Sequence, residues 1–438
     1  MPEVSKKIKG EVTISPEILV EIKNVTDFRK KIKTFFEKRV TEVLEIILGG
    51  AVSLDASDIH IEPQEEETKM RIRIDGLLQD VLFFNKKIYE NLLSRIKLLS
   101  GIKLNITDRP QDGRFSIVCE KPELAESSLY AKRHMRIGPI EIRASTLPAE
   151  YGESIVLRIL NPKSLIDMEA LGLRKDLLEI FKEEIKKPNG MIIVTGPTGS
   201  GKTTTLYAFL KKIQKPEIKI ITIEDPIEYH LEGISQTQVD PVHGYDFANG
   251  LKSIMRQDPD VILVGEIRDL ETASIALQAA LTGHLVLTTL HTNDAAGTIA
   301  RLQALGEKAV NIAPAINIAI AQRLVRKVCK NCSKLEKPPG QILEKLKREL
   351  KRISKTIKVP RAVGCPDCNF TGYRGRIGIF ETFLVDDEME KFILTSPSIS
   401  ALREKAIKKG MVTMYQDGLM KVLEGITTIE EVERVTGE

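Results

Sequence analysis

Nine consecutive residues, Gly196, Pro197, Thr198, Gly199, Ser200, Gly201, Lys202, Thr203 and Thr204, place glycines, a lysine and threonines at the spacing G-x-x-x-x-G-K-[ST]. Glycines let the backbone curl until successive N–H groups aim at one point, and a helix starting there adds the positive end of its dipole. Such a concavity binds phosphate. The flanks fit: apolar Met191–Val194 reads as a buried strand before the loop, and Thr204-Thr205-Leu206 as the start of a helix after it. The expectation is Mg-ATP binding, with Lys202 reaching the β- and γ-phosphates and the Thr203 hydroxyl on Mg²⁺.

Acidic and imidazole side chains follow three other short apolar runs. Glu224 and Asp225 come after Ile220–Ile223, Gly265 and Glu266 after Val261–Val264, and Thr288, Thr289 and His291 after Leu285–Leu287. In an open parallel sheet ligands gather at the carboxyl ends of the strands, so four polar strand ends converge on one site. Glu266 is expected to bind Mg²⁺ through water or to orient the water for in-line displacement. Glu224 could share either task. His291 could sense the γ-phosphate or fill a hydrogen-bonded niche, and the same choice stands for His284. His60, His134, His230 and His243 form no ligand-spaced pair.

Four of the five cysteines fall in two Cys-x-x-Cys pairs, Cys329/Cys332 and Cys365/Cys368. Two such turns present four thiolates to one tetrahedral ion, so a structural Zn²⁺ is expected, with no open position for substrate. Cys119 ends an alternating stretch and reads as a half-buried strand residue.

These groups need a frame. Short apolar runs alternating with longer helical stretches from Gly190 onward predict an α/β core with a parallel, helix-flanked sheet. Upstream, apolar positions at helical spacing from Asp27 to about Ala51 predict one amphipathic helix that ends at Gly49-Gly50. A strand over 58–62, a hairpin turning at Asp75-Gly76, a helix over 89–99 and strands near Phe115, Ile140 and Ile155 make an α+β unit that ends near Leu165. The stretch 398–435 is mostly helical.

At 438 residues the chain exceeds the size at which one core usually stops growing, and 42% hydrophobic with 29% charged residues is the composition of an ordinary globular protein. A net charge of only +4 argues against nucleic acid as partner. No run of about 18 apolar residues and no apolar leader occurs, so a cytoplasmic location is expected. The basic stretch Lys345–Arg352 could touch acidic lipid head groups, a peripheral membrane contact, or form a solvated helix face.

Taken together, Gly196–Tyr207, Ile221–Glu228, Arg256–Asp269 and Thr282–Asp294 resemble the Walker A, Asp box, Walker B and His box of the secretion ATPase superfamily, most nearly its type II secretion and type IV pilus assembly branch. The resemblance runs from about Ala56 to Gly425. It implies a RecA-like core and a homohexamer at the cytoplasmic face of the inner membrane. There it would work with platform and recruiting proteins, its ATP hydrolysis driving pilin or pseudopilin assembly. Arg109–Arg114, Ile142–Pro148 and Gly152–Arg158 look like the family's second, PAS-like N-terminal domain, and the resemblance makes Arg143 and Arg158 its arginine fingers. The cysteine pairs, followed by Thr371–Glu381, point to assembly or secretion rather than the retraction branch. The implied division is 1–50 helical, 51–168 α+β, 169–326 RecA-like, 327–376 zinc insert and 377–438 helical. Larger members carry a further N-terminal docking domain, whereas about 50 residues precede the shared region here. The alternatives are a nucleic-acid-translocating P-loop motor and a nucleotide-gated scaffold without turnover.

Overall fold

The computed structural model describes residues 10–36, 38–119, 139–161, 166–350 and 357–437. Packing divides the chain into two compact units, Met1–Ser164 with Val363–Gly372, and Leu165–Ala362 with Tyr373–Glu438. His134, Lys351 and Arg352 lie outside the described residues.

The first unit is a seven-stranded sheet. Its strands are β1 (Glu11–Ile14), β2 (Asp58–Pro63), β3 (Glu67–Ile74), β4 (Leu77–Asn85), β5 (Gln111–Cys119), β6 (Ile140–Ala149) and β7 (Gly152–Leu160), in the spatial order β1-β5-β6-β7-β2-β3-β4. β1 pairs parallel with β5, and the other neighbours are antiparallel. Alternate residues such as Ile140, Ile142, Ala144, Ile155 and Leu157 are buried in a core shared with helices Val25–Lys33, Val40–Ser53 and Lys86–Ser100. The β3–β4 hairpin turns at Asp75 and Gly76, both with positive φ, as a tight two-residue connection between twisted strands requires. Cys119 stands half-buried at the end of β5.

One expectation fails here. The region from Asp27 to Ala51 is two helices, Val25–Lys33 and Val40–Ser53, and Gly49 and Gly50 lie inside the second, fully buried. The Phe28 ring packs where a Gly50 side chain would stand, a Cβ there lying 2.3 Å from the ring. These glycines give close approach between helices and do not terminate one.

The second unit carries β8 (Gly190–Thr195), β9 (Ile220–Glu224), β10 (Ser235–Gln238), β11 (Val261–Val264), β12 (Leu285–Leu290), β13 (Ile316–Val328) and β16 (Tyr373–Leu384), with a two-stranded ribbon of β14 (Lys334–Glu336) and β15 (Val359–Arg361) between the last two in sequence. The main sheet runs β10-β9-β11-β12-β8-β13-β16, parallel except where β16 pairs antiparallel with β13. Every residue of β8, β9, β11 and β12 is buried, because helices cover both faces. β12 extends past the apolar run read from the sequence: Thr288 and Thr289 are buried inside it, and their β-branched side chains suit a strand interior.

Candidate nucleotide site and tetracysteine cluster

The loop Gly196–Gly201 joins the end of β8 to the helix Lys202–Ile213. It has the shape that phosphate binding needs. Gly196 and Gly201 have φ of 151° and 90°, and a Cβ on either would stand 2.5 Å from the Gln322 carbonyl oxygen or 2.8 Å from its Nε2, so β13 closes the loop from one side. A Cβ on Gly199 would meet nothing within 4 Å, which leaves the other side open. No side chain caps the first turn of the helix, and among the described residues the buried Ser200 Oγ has no hydrogen-bond partner. This cradle fits the phosphates of ATP, and Thr203 sits at the second position of the helix.

Lys202 Nζ donates to the carbonyls of Gly196 at 2.8 Å and Pro197 at 3.2 Å, so the ammonium is folded over the loop. Burial holds its pKa below the ordinary lysine value against the charge of Glu266, and Arg323 adds to the lowering.

The strand order sets Glu266, His291 and Lys202 at the ends of three neighbouring strands, β11, β12 and β8. His291 Nε2 lies 3.2 Å from Glu266 Oε2, while the other carboxylate oxygen accepts from Arg268. Burial raises the Glu266 pKa, but the Arg268 hydrogen bond and charge, with His291, outweigh it and leave the carboxyl below its ordinary range. Glu224, only 3% exposed, accepts from Thr222 Oγ1 at 2.6 Å, from Gln236 Nε2 at 3.2 Å and from the Tyr207 hydroxyl. Burial pushes its pKa up against those donors. The two acids thus differ, one fully enclosed and one partly exposed with its charge acting on Lys202. His284 Nδ1 donates to the Ala279 carbonyl, 3.1 Å away, so this ring fills a hydrogen-bonded niche.

Sequence reading missed Arg268, Tyr207, Gln322 and Arg323. Arg268 and Tyr207 lie within stretches already singled out, but nothing local marks Gln322, which accepts from Thr205 Oγ1 at 2.7 Å across 117 residues.

In the first unit, Arg143 and Arg158 face each other across β6 and β7. The same register places Arg114 opposite Arg143, Asp58 opposite Arg158, and Arg73 opposite Asp58. Four arginines share this row with one aspartate, which Arg158 and Arg73 approach at 3.1 and 3.4 Å, while Glu141 lies 3.6 Å from Arg143 and 3.8 Å from Arg114. Like charges directly opposite each other destabilise a sheet, so such a row favours an anion.

The sulfur atoms of Cys329, Cys332, Cys365 and Cys368 lie within 4.8 Å of one another. The Cys365 and Cys368 sulfurs are 3.8 Å apart, about the edge of a tetrahedron with ~2.3 Å Zn–S bonds. The backbone N–H groups of Cys365 and Gly372 donate to Cys368 Sγ at 3.2 and 3.3 Å, as befits a thiolate. This donor set fits Zn²⁺. Within the basic stretch, Lys345 is engaged by Glu433 at 2.7 Å and lies over the Tyr415 ring. Among the described residues no helix is long and apolar enough to cross a membrane.

Comparison with known proteins adds a family. The model described as "Type II/IV secretion system protein" matches residues 36–434. The chain is 43% identical over 407 residues to the type II secretion system ATPase E of Vibrio cholerae, covering 91% of this chain and 76% of that one. It is also 43% identical over 397 residues to the type IV pilus assembly ATPase PilB of Thermus thermophilus, covering 90% of this chain but 43% of the longer relative. Among solved structures, the pilus retraction motor PilT with bound ADP superposes with a TM-score of 0.57 at 26% identity, over 89% of this chain and 95% of that one. The Legionella pneumophila ATPase DotB, at 23% identity, shares the fold with a TM-score of 0.62, over 89% and 94%. These are secretion and pilus ATPases, not nucleic-acid motors, which sets the nucleic-acid alternative aside.

Proposed function

The chain belongs to the Type II/IV secretion system protein family, and from that footing we propose a homohexameric motor at the cytoplasmic face of the inner membrane. Its ATP hydrolysis drives pilin or pseudopilin subunits into a type IV pilus or a type II secretion apparatus, together with platform and recruiting proteins. The chain is an ATPase with a RecA-like core. One observation supports the chemistry most: the partly exposed carboxylate of Glu266 stands one strand from His291 and two from the P-loop strand, and its charge is felt by Lys202.

Each residue then has a task. Lys202 and the first-turn N–H groups of its helix bind the phosphate oxygens, and Gly196 to Thr204 shape the concavity. Thr203, and Glu266 through water, would hold Mg²⁺, and the ion would neutralise phosphate charge. Glu266 also orients the attacking water, while His291 and Arg268 fix its two oxygens. Glu224 supports the site from the neighbouring strand. Arg143 and Arg158, in the domain we assign to 51–168, add positive charge to the spread charge of phosphoryl transfer. A zinc ion on the four cysteines has a structural part only, holding together the insert we assign to 327–376.

Mg²⁺-dependent phosphate release, measured across protein concentration for the zinc-loaded chain and for Arg143→Ala, tests the assembled motor. Specific activity that rises with concentration and collapses in Arg143→Ala supports it. Activity independent of concentration and indifferent to Arg143 leaves an ATPase but removes the arginine assignment and the hexameric motor.

A further inference from the structure

The residues that follow His291 do not hang free. Thr292 N donates to Thr195 Oγ1 at 2.8 Å, Asn293 O accepts from Arg323 Nη2 at 3.0 Å, and Ala295 N donates to Glu381 Oε1 at 3.1 Å. Thr195 ends β8, Arg323 is within β13 and Glu381 within β16, so the segment lies across three successive strands near the level at which β8 ends. Glu381 is the outermost tie and differs from the other two. It is 1% exposed, and its second oxygen accepts from Met414 N, the first residue of the helix Met414–Leu423, at 3.3 Å. Arg403, on the preceding helix Ile399–Lys408, approaches that oxygen at 3.8 Å. The charges of Arg323 and Asp294 also act on this carboxylate.

A buried carboxylate is costly unless its oxygens are satisfied. Here each oxygen serves one backbone amide, one beside the nucleotide site and one in the C-terminal helices. We propose that Glu381 is a positioning residue for ATP hydrolysis: it locks the loop Thr292–Ala295, and through it His291 against Glu266, to the helix that begins at Met414. The C-terminal helices thereby set the geometry of the reacting carboxylate without touching nucleotide. This rests on the reading of Glu266 and His291 as parts of the catalytic site.

The experiment compares steady-state ATP hydrolysis by the full chain with that of Glu381→Ala, Glu381→Gln, His291→Ala and the double variant His291→Ala/Glu381→Ala, with a thermal melt of each. Misplacing a catalytic group by about 1 Å costs on the order of 10²-fold. Glu381→Ala is therefore expected to lose about that factor in kcat while KM for ATP stays within about twofold. Glu381→Gln keeps one acceptor and should fall between it and the parent. Because Glu381 acts through His291, the double variant should be no slower than the slower single one, within about twofold. Losses that multiply in the double variant, a kcat unchanged in both Glu381 variants, or a KM that rises with kcat intact overturn the proposal. If Glu381→Ala does not fold, Glu381→Gln with His291→Ala/Glu381→Gln answers the same question. A His291→Ala chain with full turnover instead removes the underlying reading of His291, and the coupling through it falls too.

Discussion

His291 Nε2 and Glu266 Oε2 stand 3.2 Å apart, and that contact joins the ends of β12 and β11. The imidazole is half-exposed and the carboxylate mostly enclosed, so removing the ring frees one carboxylate oxygen without opening a core. His291→Ala should lower kcat by about 10- to 100-fold, the usual cost of losing a partner that orients a reacting group. His291→Gln, which keeps a donor there, should recover part of it. Equal losses in both would show that the hydrogen bond is not what matters.

Lys202 folds over the carbonyls of Gly196 and Pro197 and carries the only ammonium of the loop. Lys202→Ala should reduce turnover by at least the 10² to 10³, roughly, of one lost electrostatic donor. It should also weaken ATP binding. Nucleotide affinity unchanged by fluorescence titration would contradict the phosphate assignment.

Much of this site is legible in the residues because it is local. The P-loop is nine contiguous residues, and Glu224, Glu266 and His291 each follow a short apolar run, at the carboxyl ends of neighbouring parallel strands. Hairpin and strand positions came through for the same reason. Gly49 and Gly50 misled because a buried close approach to Phe28 and a helix end both select glycine. Thr288 and Thr289 looked like a strand end because polarity was weighed above β-branching. Pairs such as Thr205–Gln322, Ala295–Glu381 and Arg174–Asp417 are separated by 117, 86 and 243 residues, and no local pattern encodes them. The arginine row of the first unit is likewise a product of strand register.

Arg158 Nε lies 3.1 Å from Asp58, yet the Arg158 side chain is half-exposed and Asp58 keeps Arg73 at 3.4 Å. Arg158→Ala should therefore leave the melting temperature almost unchanged. Turnover should fall by on the order of 10³, the lower end of what an arginine supplied to phosphoryl transfer contributes. A large drop in melting temperature with proportionate loss of activity would make Arg158 structural instead.

Burial raises the Glu224 carboxyl pKa above its ordinary value, with a definite sign for stability. Above the raised value the ionised, buried group costs the folded state free energy. Below the ordinary carboxylate range both states are protonated and the cost vanishes. The stability difference between Glu224→Gln and the parent should thus shift in favour of the glutamine as pH rises from about 4 toward neutrality. Thermal melts at pH 4.5 and 8 measure it, and a shift the other way would refute the burial account.

Asp417, fully buried, accepts from Arg174 Nη1 at 2.9 Å and from the Phe380 amide at 2.8 Å, and Lys421 lies 3.3 Å away. Asp417→Ala leaves the buried Lys421 ammonium and the Phe380 amide unanswered, while Arg174 keeps Asp176 at 3.3 Å, a loss of about 3–5 kcal/mol. Urea denaturation should show it as a lower midpoint with an unchanged slope.

With the sulfurs of Cys365 and Cys368 at 3.8 Å and all four within 4.8 Å, one zinc per chain should be found by metal analysis. Chelation should lower the melting temperature, and Cys365→Ser should abolish the stoichiometric metal. Full metal content in Cys365→Ser would reject the four-thiolate site.

The most direct test of the account is ATP binding and Mg²⁺-dependent phosphate release by Glu266→Gln beside the parent chain. Glutamine preserves shape and removes the charge that acts on Lys202. The account predicts retained ATP binding with turnover abolished; turnover at the parent's rate would contradict it, and the reacting carboxylate would have to be sought elsewhere, first at Glu224.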